Sequence, residues 1–222
     1  MGKNIKLTAG DGFHLDAYRA DPVGRIRGGI VIIQEIFGVN AHIREVTDQF
    51  AAEGYVTVAP AFFDRVKPGV DLGYDAAGIA QGRQYMTELQ PDKALLDIQA
   101  GIAAVSSAGK VGVVGYCWGG TMAYFAAAHT NIAAAVAYYG GRITQYLKDK
   151  PRCPIMYHFG ELDKGIPDSM IQQIRAAQPA GIFHVYKGAD HGFNCNHRAT
   201  FEPKSAALAR ERTLTFLHEH VG

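Results

Sequence analysis

Residues 111–120 read Val-Gly-Val-Val-Gly-Tyr-Cys-Trp-Gly-Gly, and this stretch decides the fold. Its β-branched half (Val111, Val113, Val114) favours a strand ending at Gly115, and residues 121–128 favour a helix. Cys117 stands between them in the pattern G-x-C-x-G. A strand that turns directly into a helix makes a sharp, strained corner, where side chains at 115 and 119 would collide with neighbouring backbone. The corner sets residue 117 at a helix N-terminus, where free N–H groups and the helix dipole favour a thiolate. Cys117 is therefore a candidate nucleophile. Taken alone the motif also admits a packing explanation, because a free cysteine behaves as a small hydrophobe.

The order of the later motifs favours chemistry. Residues 154–159 read as a strand running into Gly160-Glu161-Leu162-Asp163, and residues 183–186 as a last strand running into Gly188-Ala189-Asp190-His191. Nucleophile, acid and histidine thus occur in that order, as in α/β-hydrolases, where G-x-S-x-G usually holds a serine. Each lies just past the C-terminal end of a strand, the edge where open α/β sheets bind ligands. Asp190 competes with Asp163 for the role of acid. Adjacent side chains in an extended segment point apart, which favours Asp163 as the partner of His191.

The remaining elements alternate. Residues 5–8 and 14–19 flank the turn dipeptide Asp11-Gly12, and residues 29–34 form an apolar run suited to a strand buried on both faces. Asn40 caps a helix ending at Gly54, with Ile43, Val46, Phe50 and Ala51 on one face. Residues 55–59 are the next strand, 60–73 a loop, and 74–89 and 91–107 helices. Beyond the corner come a strand over 133–139 and helices over 166–178, with Pro167 at the first position, and 203–219. This alternation predicts an α/β-hydrolase fold: one domain over 1–222, with a mostly parallel sheet of about seven or eight strands and helices on both faces.

Composition narrows the partners. A net charge of +1 with interspersed signs argues against a nucleic-acid surface. Apolar stretches are broken by glycine and charge, no signal peptide is read, and Lys6 fails the myristoylation pattern, so no membrane association is expected. Three cysteines without paired spacing fit a reducing compartment, and a cytoplasmic monomer or weak homodimer is expected. His191, Cys195 and His197 form H-x3-C-x-H, which lacks the usual zinc spacing and a fourth ligand. Neither a metal nor another cofactor is expected. His158, inside a strand, reads as a core histidine.

The chain resembles the dienelactone hydrolase (carboxymethylenebutenolidase) family over essentially its whole length. The resemblance rests on Gln34-Glu35-Ile36-Phe37-Gly38, Gly115-Tyr116-Cys117-Trp118-Gly119-Gly120, Gly160-Glu161-Leu162-Asp163, Ala189-Asp190-His191-Gly192-Phe193 and Ala209-Arg210-Glu211-Arg212-Thr213. It implies Cys117 as nucleophile, His191 as base and acid, Asp163 as its orienting partner, and Glu35 in contact with the resting thiol. It also implies an oxyanion hole at the N–H groups of Ile36 and Trp118. The family holds a substrate carboxylate with two arginines. The first corresponds to Arg83 after a shift of about one helical turn. At the second place this chain has Asn194-Cys195, and the nearest arginine is Arg198. Tyr85 and Phe37 are implied as pocket walls. The resemblance implies a hydrolase of small lactones or esters acting through an acyl-enzyme. Two readings stay open beside it: an esterase for neutral esters without a carboxylate anchor, and a non-catalytic lactone-binding or thiol-sensing protein.

Overall fold

The computed structural model describes residues 2–222. Eight strands, β1 (Lys3–Thr8), β2 (His14–Ala20), β3 (Gly28–Ile33), β4 (Tyr55–Pro60), β5 (Val111–Tyr116), β6 (Ala134–Tyr138), β7 (Ile155–Gly160) and β8 (Ile182–Tyr186), form one sheet in the order β1-β2-β4-β3-β5-β6-β7-β8. The β1–β2 and β2–β4 pairings are antiparallel, and all the others are parallel. Six helices accompany them: α1 (Ala41–Ala52), α2 (Ala76–Glu88), α3 (Pro91–Val105), α4 (Trp118–His129), α5 (Asp168–Ala177) and α6 (Pro203–His220). The eight-stranded, mostly parallel sheet is the one expected. Among the described residues no helix is long and apolar enough to cross a membrane.

Two adjacent glycines in β3 show how the helices divide. A Cβ on Gly28 would meet Val221 at the end of α6, whereas one on Gly29 would meet Val105 at the end of α3. Successive residues of a strand face opposite sides of the sheet, so α6 and α3 cover opposite faces. Helix α1 joins α6 on its side, linked by Arg210 to Glu53 at 2.6 Å, and α3 packs against α4 on the other. Both faces of the central strands are therefore dry. Every residue of β3, β4, β5, β6 and β7 is buried, which is why these segments are continuous apolar runs rather than alternating ones.

Local chemistry sets the helix ends. Asn40 caps α1 by accepting the N–H of Ile43 at 3.2 Å, and Asp75 caps α2 by accepting that of Gly78 at 2.7 Å. Helix α5 begins two residues later than expected, with Pro167 as its cap rather than its first residue. The turn closed by Ile166 N–H on the Asp163 carbonyl, at 3.1 Å, uses the preceding residues, and the position before a proline disfavours helix. Short 3₁₀ turns at 62–65, 106–108 and 143–146 had no signature in the sequence.

The corner at Cys117 is as tight as its glycines require. A Cβ on Gly115 would run into the carbonyl of Gly119, and one on Gly119 into the carbonyls of Ile33 and Gln34 at the end of β3. A methyl group there cannot be absorbed by a flexible side chain, since the obstacle is backbone. Gly119→Ala should cost about 3 kcal/mol or more, lowering Tm by on the order of 6–12 °C for a chain of this size. Gly73→Ala, which meets nothing within 4 Å, should leave Tm unchanged. Thermal unfolding of both variants tests the packing directly.

Candidate active site

Four loops carry charged or nucleophilic side chains past the C-terminal ends of parallel strands: Glu35 after β3, Cys117 after β5, Asp163 after β7 and His191 after β8. Cys117 is held at φ 56° and ψ −116°, a left-handed conformation uncommon outside glycine that turns its side chain out of the sheet. Its Sγ lies 3.2 Å from His191 Nε2, and His191 Nδ1 lies 2.7 Å from Asp163 Oδ2. Asp163 is buried, and its other oxygen accepts the N–H of Gly165 at 2.9 Å. Asp190 instead accepts the backbone N–H of His191 at 2.6 Å, so its carboxylate serves the loop and not the ring.

Burial opposes a charge on the His191 ring. The charge of the Cys117 sulfur and the hydrogen bond and charge of Asp163 outweigh it, raising the ring from 6.5 to about 10. The other two cysteines have no such neighbour. Burial pushes Cys153 up to about 11, and burial followed by the charge of Glu35 does the same to Cys195. Neither faces a histidine base.

Cys117 and His191 open on a cavity of about 580 Å³ that Ile36, Phe37, Trp118 and Arg83 also line. The backbone N–H groups of Ile36 and Trp118 have no acceptor among the described residues. Trp118 is the first residue of α4, so its N–H lies ahead of the helical hydrogen-bond ladder. Two free donors beside the thiol are what an oxyanion would need.

Glu35 is paired with an arginine. Its carboxylate is 1 % exposed and takes Arg198 as partner, with Nη1 donating to Oε1 at 3.1 Å, while the thiol's partner is His191. A buried carboxylate needs a full positive charge, which Arg198 supplies and a neutral thiol cannot. Tyr85 is placed differently from expectation. It does not line the cavity: its ring packs edge-on against Phe63, 5.8 Å between centroids, because it sits two residues round the helix from Arg83.

Several features escaped the sequence reading. Arg142, in the loop after β6, lines the cavity, and its backbone N–H donates to Thr121 Oγ1 at 3.1 Å. Tyr139 has φ 38° and packs its ring 5.1 Å from that of His191, walling the base on one side. Both follow a strand whose end carries no motif, only Gly140-Gly141. The H-x3-C-x-H stretch disperses: His191 faces Cys117, Cys195 is buried, and His197 Nε2 lies 3.0 Å from Glu45. His158 is held between Tyr186 Oη at 2.7 Å and Thr213 Oγ1 at 3.0 Å, far below its usual pKa through burial.

The sequence profile of the dienelactone hydrolase family matches residues 15–221. The chain is 34% identical to the carboxymethylenebutenolidase of Pseudomonas putida over 227 residues, covering 98% of this chain and 96% of that one. It is 36% identical over 236 residues to a Synechocystis protein provisionally given the same name, covering 96% of each. A crystal structure from Klebsiella pneumoniae, provisionally named a dienelactone hydrolase, superposes with a TM-score of 0.84 at 25% identity, covering 99% of this chain and 100% of the other.

The Glu35–Arg198 pair gives a stability test. Arg198→Ala leaves a buried carboxylate without its countercharge and should cost about 3–5 kcal/mol in denaturant unfolding. Adding Glu35→Gln to that variant should recover a large part of the loss. Equal instability of the single and double variants would mean that Arg198 stabilises by packing alone.

Proposed function

Because the chain belongs to the dienelactone hydrolase family, we propose that it hydrolyses small lactones or carboxylic esters through a thioester on Cys117. The observation that carries this reading is the relay from Cys117 Sγ through His191 to Asp163, at 3.2 Å and 2.7 Å, on the floor of the cavity.

The thiol proton passes from Sγ to His191 Nε2, and the thiolate attacks the carbonyl carbon of the substrate. The carbonyl electron pair moves onto oxygen, where the N–H groups of Ile36 and Trp118 receive the negative charge. Collapse of this adduct breaks the bond to the leaving oxygen, which takes the proton from Nε2. In a lactone that oxygen remains tethered to the acyl group. Water then gives a proton to Nε2 and attacks the thioester as hydroxide, and collapse of the second adduct expels the thiolate. Asp163 holds the ring with Nδ1–H toward itself and balances the imidazolium charge formed twice per cycle.

Cys117 is the cysteine in this chain with both a base and free oxyanion donors beside it. A binder or thiol sensor has no use for that pairing, and the open cavity has room for a neutral ester as well as an anionic lactone.

Cys117→Ala should abolish turnover of a chromogenic acetyl ester, whereas Cys153→Ala and Cys195→Ala should retain it. Near-normal activity in Cys117→Ala would overturn the proposal. Asp163→Asn should lower kcat on the order of 10²–10⁴-fold, and Asp190→Asn far less; the opposite ranking would reassign the acid. Alkylation separates the base from the fold. At neutral pH iodoacetamide should alkylate Cys117 of the wild type about tenfold or more faster than in His191→Asn, and equal rates would remove His191 as the activating base.

A further inference from the structure

The cavity contains positive charge that the hydrolytic chemistry does not use. Arg83 from α2, Arg142 from the loop after β6, and Arg198 all line it, and among the described residues no aspartate or glutamate does. Arg198 is committed to Glu35. Arg83 and Arg142 are exposed, and neither side chain has a salt-bridge or hydrogen-bond partner among the described residues. The Cys117–His191 pair is neutral overall whichever atom holds the proton, and the Asp163 carboxylate behind it is buried and engaged by His191 Nδ1 and the N–H of Gly165. Arg83 and Arg142 are thus the guanidiniums of the cavity lining that have no carboxylate partner of their own.

A single carboxylate gripped in two places by one of them leaves the other without a partner. Arg142 is moreover not a loose surface side chain at its root, because its backbone N–H is pinned to Thr121 Oγ1 at 3.1 Å. It also borders a smaller recess of about 150 Å³, which Met86, Trp118 and Thr121 share with the main cavity. Arg142 thus lines both the cavity and the recess.

We propose that Arg142 forms a second anion subsite, and that the preferred substrate is a lactone or ester carrying two anionic groups, one held by Arg83 and the other by Arg142. The assignment rests on the cavity being the hydrolytic site, but binding can be read without turnover. Guanidinium suits this task because its planar donors grip a carboxylate in two places and keep their charge at any working pH.

Trp118 is the single tryptophan of the chain and lines both cavity and recess, so its fluorescence reports occupancy. The probes are adipate, a dianion, and hexanoate, a monoanion of equal length, titrated at low ionic strength. The wild type should bind adipate about tenfold or more tightly than hexanoate. Arg142→Ala should bring the adipate-to-hexanoate ratio down to near one, and Arg142→Lys should keep part of it. The ratio within each variant cancels any general damage to the fold. Equal affinity of the two probes in the wild type would overturn the proposal, as would an unchanged ratio in Arg142→Ala. A parallel assay with matched esters of the two acids keeps the two readings apart. Dianion preference without ester turnover would sink the hydrolase and leave the subsite standing. Turnover without dianion preference would do the reverse.

Discussion

Everything at this site depends on how closely α4 approaches the end of β3. Gly119 lies against the carbonyls of Ile33 and Gln34, and no residue with a side chain fits between them. That contact sets the loop bearing Glu35 and Ile36 beside the corner bearing Cys117 and Trp118. One free N–H comes from each side, so the two donors stay together only while the two backbones remain in contact. The left-handed backbone at Cys117 is the local cost of the arrangement, held in place by buried strands on both sides. Precision in the reacting groups thus comes from the scaffold, with the loops only carrying what the sheet edge fixes.

The two halves of the site were unequally legible in the sequence. Cys117, Asp163 and His191 could be located because each follows a strand with a strong apolar signature and sits in a local glycine-rich pattern. The sheet was legible for the same reason: strands covered on both faces show as unbroken apolar runs. Arg142 and Tyr139 carried no such mark. What places them is the bend after β6, a tertiary feature that a two-glycine loop neither specifies nor forbids. Tyr85 shows the opposite failure. It lies on the correct helix, but the helical period turns it into the core against Phe63 while Arg83 faces the cavity. The partner of Glu35 was hidden as well, since a contact between residues 35 and 198 spans most of the chain and neither flank hints at the other.

The buried ion pair also bears on the thiol. An uncompensated Glu35 would oppose a neighbouring thiolate by like-charge repulsion, and the burial that makes its charge costly would make that repulsion long-ranged. Arg198 cancels this field. Its own charge is opposed by burial and favoured first by Glu35, and the Cys117 sulfur is among the other groups that favour it. Arg198 therefore acts on the nucleophile as well as on the carboxylate, although it bonds only to the latter. The thiol and the ion pair are thus electrostatic neighbours.

That proximity explains why cations outside the pair matter. A substrate anion drawn to Arg198 would have to displace Glu35, returning an uncompensated carboxylate to the neighbourhood of the sulfur as attack begins. Arg83 and Arg142 have no such partner to lose. In the proposed binding mode an anion seated on them leaves the Glu35–Arg198 pair closed. In the proposed reaction the negative charge that grows on the carbonyl oxygen then meets the N–H groups of Ile36 and Trp118 without a free carboxylate beside it. In the proposed function anchoring and activation are thereby separated: uncommitted guanidiniums would hold the substrate, and the committed one would stay paired with the carboxylate beside the thiol.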